Sequence, residues 1–161
     1  MTSGKLSQEE AFARIQLLRS ANIGPVSYTQ LLQRFGNARD AVAALPDLAA
    51  RGAKRNYKAA PRERIECEVQ TARAAGARYL FHDQPDYPAN LAALDGAPPI
   101  VTMRGDLSLA SRPCVAMVGA RNASAAAVKL ARDFARELGA AGLVVVSGLA
   151  KGIDGASHEG A

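Results

Sequence analysis

Apolar positions along this chain change their spacing near residue 77, from a helical rhythm to a strand-like one. In the first stretch Ala11, Phe12, Ile15 and Leu18 fall three and four apart and line one face of a first helix. Ser7-Gln8-Glu9-Glu10 precedes it as a capping box, with the serine accepting from the third amide while Glu10 reaches back. Asn22-Ile23-Gly24-Pro25 breaks that helix, and Leu31, Leu32 and Phe35 line a second one that stops at Gly36. Asn37 is placed to cap a third helix, predicted to end near Pro46 because proline cannot donate to a helical rung. Pro61 suits the first turn of a fourth helix through Ile65, Val69 and Ala72.

From Arg78-Tyr79-Leu80-Phe81 onward the pattern becomes that of strands. Cys114-Val115-Ala116-Met117-Val118 runs into Gly119-Ala120-Arg121-Asn122, and Leu143-Val144-Val145-Val146 runs into a second turn, Ser147 to Asp154. Between them Val128, Ala131, Phe134, Ala135 and Leu138 form the apolar face of a helix, opposite Lys129, Arg132, Asp133, Arg136 and Glu137. Ser124 is its N-cap and Gly139 its stop. Strand, helix and strand make a βαβ unit, so the two strands are expected to be parallel and adjacent. The chain therefore reads as an α/β protein of two domains, helical over residues 1–76 and Rossmann-like over 77–161.

A strand that ends in glycines before a helix gathers free amides and a positive helix end around one pocket, which suits an anion. Each turn also carries a cation, Arg121 in the first and Lys151 in the second. Two such turns at one rim fit a ligand with more than one phosphate, either nucleic acid or a dinucleotide. The dinucleotide fingerprint G-x-G-x-x-G fails here, because Gly119 is followed by Ala120 and Arg121 and no second glycine. The acid expected at the end of the second strand is replaced by Ser147. Both departures argue against a standard nicotinamide or flavin site, and no cofactor is expected.

The remaining polar residues carry less chemistry. Asp154 reads as a helix cap, and His158, four residues on, as its hydrogen-bonded structural partner. His82 beside Asp83 reads as a loop residue. Helix, Ile23-Gly24-Pro25 turn and helix resemble the helix–hairpin–helix and SAM-like modules, whose hairpin offers amides to a phosphate; a plain helical bundle with a Gly-Pro turn reads equally well. Residues 51–64 concentrate Lys54, Arg55, Lys58, Arg62 and Arg64 around Tyr57. That segment is either a cationic track with one stacking ring or, more commonly for such clusters, a solvated connection between domains.

The 161 residues carry a net charge of +5 and a pI near 9.6, which fits an acidic partner without requiring one. No secretory signal or membrane-length apolar run is present. Cys67, in a helical pattern, and Cys114, in a buried-strand pattern, have no metal-ligand spacing; they read as reduced thiols of a cytoplasmic protein.

The two turns, Val118-Gly119-Ala120-Arg121-Asn122 and Val146-Ser147-Gly148-Leu149-Ala150-Lys151-Gly152-Ile153-Asp154, followed by Ser157-His158, resemble the DprA/Smf DNA-processing family. Its members carry G-S-R, then S-G-x-A-x-G-I-D and a nearby A-H. Tyr87-Pro88-Ala89-Asn90-Leu91, Pro98-Pro99-Ile100-Val101 and Arg104-Gly105-Asp106-Leu107 match the family's lead-in. Ala120 departs from the usual Ser or Thr and removes one hydroxyl, and Ser157 replaces an alanine. The resemblance implies a non-catalytic, sequence-independent binder of single-stranded DNA in the bacterial cytoplasm, which helps load the RecA recombinase during natural transformation. It implies phosphate contacts at Gly119, Arg121, Ser147, Gly148, Lys151 and Gly152. It further implies that this is the N-terminal portion of a longer, self-associating protein, usually a dimer, with the dimer and RecA surfaces beyond Ala161. The alternative is an enzyme, a nucleotide-binding hydrolase similar to the lysine-decarboxylase-like phosphoribohydrolases. Their P-G-G-x-G-T-x-x-E string is absent here, and their usual lack of a helical N-terminal domain argues against them.

Overall fold

A computed structural model describes residues 6–51 and 56–161. Four helices come first: α1 (Gln8–Arg19), α2 (Pro25–Phe35), α3 (Ala38–Arg51) and α4 (Arg62–Ala74). They are followed by β1 (Ala77–Phe81), a single turn of helix α5 (Ala89–Ala92) and β2 (Ile100–Arg104). After a 3-10 turn at Leu107–Ser111 come β3 (Cys114–Ala116), α6 (Ala125–Ala140), β4 (Val144–Val146) and α7 (Ile153–Gly160). The chain forms two compact units, Met1–Leu107 and Ser108–Ala161.

In the first unit α1 is buried on two sides. Ala13 and Leu17 join Tyr28, Ala38, Ala41 and Leu45 in one cluster, and Ile15 joins Ala60, Ile65 and Phe81 in another. Leu17, outside the single face expected from spacing, is fully buried. The second cluster explains why this unit extends beyond residue 77. β1 and β2 pair antiparallel, Ala77 with Arg104 through Phe81 with Ile100, and their apolar side chains pack on the helices.

Ser7 caps α1 as expected, accepting from the Glu10 amide at 3.1 Å. The Glu10 carboxylate does not complete the box. It accepts from the Ala38 amide at 2.9 Å and from Arg14 Nε at 2.9 Å, so α1 supplies a cap to α3. Asn37 adds the local cap, accepting from the Asp40 amide at 2.8 Å. Against expectation α3 continues through Pro46 to Arg51. The proline forfeits one rung, but Leu45 beside it is buried in the first cluster and holds the helix in place.

Arg14, 9% exposed, donates from Nη1 to Asp83 Oδ1 at 2.7 Å as well as to Glu10. Burial alone would raise the Asp83 carboxyl, but the hydrogen bond and charge of Arg14 outweigh it and hold that pKa below the usual range. The Tyr28 hydroxyl is enclosed without a hydrogen-bond partner, and burial pushes its pKa well above the ordinary tyrosine value.

In the second unit β3 and β4 pair in parallel, Cys114 with Val144 through Ala116 with Val146, as the βαβ reading requires. Ser124 caps α6, accepting from the Ala127 amide at 3.3 Å. The helix runs past Gly139 to Ala140. Its buried residues are Ala131 and Ala135, and Phe134 stays 56% exposed. α6 packs closely on α7, where a side chain at Gly160 would strike the Arg132 backbone. Cys114 is exposed rather than buried, as is Cys67, and both are free thiols. Among the described residues β3 pairs with β4 alone.

Candidate functional site

The two glycine turns lie at the same end of the parallel β3–β4 pair. Pairing continues one step past the strands, where the Met117 amide donates to the Val146 carbonyl at 2.9 Å. The turns then lock together. The Ile153 amide donates to the Ala120 carbonyl at 3.2 Å. A side chain at Gly119 would come within 2.6 Å of Ile153 Cγ1, and one at Gly152 would strike the Ala120 and Arg121 carbonyls. Gly152 also has φ of +82°, a conformation that L side chains avoid. These two glycines are therefore needed for the turns to touch.

The geometry leaves a run of backbone donors unused. Among the described residues, the amides of Gly148, Leu149, Ala150, Lys151 and Gly152 donate no intramolecular hydrogen bond. The same holds for Gly119, Ala120 and Arg121. Arg121 and Lys151 are exposed and make no ion pair among the described residues. The other cations of this unit are engaged. Lys129 pairs with Asp133 at 2.7 Å, Arg132 with Glu159 and Arg136 with Asp133, while Arg112 donates to the Gly142 carbonyl at 3.0 Å. Free amides and unpaired cations at one rim form a surface complementary to phosphate oxygens.

The rim does not present every residue expected there. Gly119, Arg121, Gly148, Lys151 and Gly152 supply its amides and charges. The Ser147 hydroxyl is enclosed and unpartnered, so its side chain is not offered at the surface. The residue preceding α7 as its N-cap is Gly152, and no side chain caps the helix. Asp154 instead sits within the first turn, 7% exposed, with Oδ2 3.2 Å from where a Cβ on Gly148 would lie. An acid there favours the helix dipole. His158 does not bond Asp154; its Nε2 lies 3.4 Å from the Ser147 carbonyl. The histidine thus braces the second turn from behind, a contact that sequence spacing alone does not reveal.

In the first unit the Gly24-Pro25 turn starts α2 without a side-chain cap, with Asn22 left-handed at φ of +63°. Ile23 packs on the helical core. The basic segment is partly committed to structure. Tyr57 packs on the core and its hydroxyl donates to the Ala21 carbonyl at 2.7 Å, so its ring is not free for stacking. Arg62 pairs with Glu66 at 2.9 Å and lies over Phe12. Lys54 and Arg55 fall outside the described residues. No group of three metal-ligating side chains occurs among the described residues, and no helix there is long and apolar enough to cross a membrane.

Comparison with known proteins agrees on one family. Residues 78–161 match the family model described as DNA recombination-mediator protein A. Residues 8–71 match the DprA-like N-terminal HHH domain. The DNA processing protein DprA of Bacillus subtilis is 37% identical over 73 residues, 45% of this chain and 25% of that protein. Its namesake from Streptococcus pneumoniae is 42% identical over 72 residues, again 45% of this chain and 25% of that protein. The X-ray structure of DNA processing protein A from Streptococcus pneumoniae matches with a TM-score of 0.59 at 25% identity, covering 98% of this chain and 54% of that one. The chain thus spans about half of the solved relative.

Proposed function

Since this chain belongs to the DNA recombination-mediator protein A family, we propose that its twin turns bind the backbone of single-stranded DNA without sequence preference. One observation supports the reading: among the described residues, Arg121 and Lys151 stand unpaired beside eight unused amides at one rim. Arg121 grips a phosphate, and the amides of residues 119–121 and 148–152 hold its neighbours. The assignment of Ser147 is to its backbone, which shapes the turn. No residue acts as a catalyst in this reading. The whole protein acts in the cytoplasm, delivers bound strands to the RecA recombinase in transformation, and works as a dimer.

The test is fluorescence anisotropy of labelled oligo-dT with the full-length protein, at two salt concentrations. Backbone binding predicts an affinity that falls steeply with salt, with duplex bound more weakly. Failure to bind single strands, together with saturable binding of a mononucleotide, would overturn this reading in favour of the nucleotide-hydrolase alternative.

A further inference from the structure

Leu149 and Val118 are the two most exposed large apolar residues described, at 73% and 79%. Both stand on the rim that holds the unused amides. Ala116 pairs with Val146, so Val118 lies two residues past one end of that pair and Leu149 three past the other. Neighbouring strands are about 5 Å apart, so both positions follow the C-terminal ends of the same strand pair, as the amide turns do. In sequence Leu149 lies between Gly148 and Lys151, and Val118 precedes Gly119 and Arg121.

Leu149 is also conformationally unusual. Its φ is +54°, the left-handed region, where glycine or asparagine is at ease and leucine is strained. A leucine held in that conformation, with its side chain in water, contributes nothing to the packing of this unit. Such an outlier points to a role outside stability.

We infer that Leu149 and Val118 form an apolar shelf for nucleobases of the strand whose phosphates sit on the amides. The inference rests on the phosphate-binding reading above and adds to it the part of the ligand that is not charged. In a single strand the base faces are open and gain by leaving water against aliphatic side chains. In a duplex those faces are stacked and paired, so the shelf meets only sugar and phosphate. The preference for single strands then comes from the two apolar residues, and the salt dependence from Arg121, Lys151 and the amides.

The experiment compares oligo-dT with an abasic oligonucleotide of equal length, which has the same phosphates and no bases. The full-length protein is expected to bind oligo-dT about tenfold more tightly, the factor expected from burying one aliphatic side chain. Leu149→Asn suits the left-handed backbone and removes the apolar surface, so the ratio should fall towards one. Leu149→Met should keep the ratio, and Val118→Thr should lower it part of the way. Arg121→Ala should weaken both strands alike and leave the ratio standing. Equal binding of the two strands by the unaltered protein would overturn the shelf while leaving phosphate binding intact. A ratio unchanged in Leu149→Asn would remove Leu149, whatever the variant does to self-association. Binding of neither strand would overturn both the shelf and the reading on which it rests.

Discussion

In the helical unit Arg14 is nearly buried and gives its donors to Glu10 and Asp83, while in the α/β unit Arg121 is exposed and donates to no group among the described residues. Other cations of each unit are paired as well, although Lys58 and Arg73 of the first unit form no ion pair among the described residues. Arg19 holds Glu68, Arg39 lies near Glu9, Arg62 holds Glu66 and Arg78 lies near Asp86, all within the first unit. In the second, the helix cations Lys129, Arg132 and Arg136 are paired, and the turn cations Arg121 and Lys151 are not. Net charge therefore says little about where an anion binds. The informative quantity is positive charge left without an internal partner beside unused amides.

The largest effect should come from the buried cation. Arg14→Met strands the largely enclosed Glu10 carboxylate, with the half-exposed Asp83 a minor part, and should cost about 3 kcal/mol of stability, read as a lower urea midpoint, with single-strand affinity kept. An unchanged midpoint would dissolve the contrast between the units. Gly152→Ala should come next, at about 2 kcal/mol, because the added Cβ meets two carbonyls in a left-handed turn. It should also lower DNA affinity, and full retention of both would show that the turns need not interlock. Arg121→Ala should invert the Arg14 result. Stability should hold, and anisotropy should show affinity lower by about 1–3 kcal/mol; unchanged binding would take Arg121 out of the interface.

The smallest effect concerns pH. The Asp83 pKa is depressed in the folded state, so its contribution is complete above the unfolded value of about 3.9 and is lost as pH falls through the lower folded value. The side chain is half exposed, so the expected contribution is only about 0.5 kcal/mol. Urea midpoints of the protein and of Asp83→Asn should differ at pH 7 and converge below pH 4. A gap that persists in acid would mean that Asp83 matters for packing and not for its charge.

Local rules written in the chain were legible where the interaction is itself local. Ser7 and Ser124 cap the helices that follow them, Gly36 ends α2 in a left-handed conformation, and the two apolar runs pair in parallel. Interactions across the fold were not. Glu10 looks like half of a capping box until α3 arrives to claim it. Pro46 looks like a stop until the burial of Leu45 is known. Periodicity places Phe134 on the inner face of α6, but Ala131 and Ala135 are buried there while Phe134 is exposed. The turn pattern already placed the glycines and the two cations in the two turns that touch. The enclosure of Ser147 and the brace from His158 depend on α7 folding back over the turn.

The interlocking of Gly119, Gly152 and Ile153 ties these positions into a single unit of inheritance. The room that a side chain at 119 would need is taken by Ile153, and the room needed at 152 by the opposite carbonyls. A larger residue at 119 is tolerable only with a smaller one at 153, so the two positions should drift together among relatives or not at all. The same jamming fixes the unused amides of both turns in one arrangement. Under the proposed phosphate reading, little ordering entropy remains to be lost on binding.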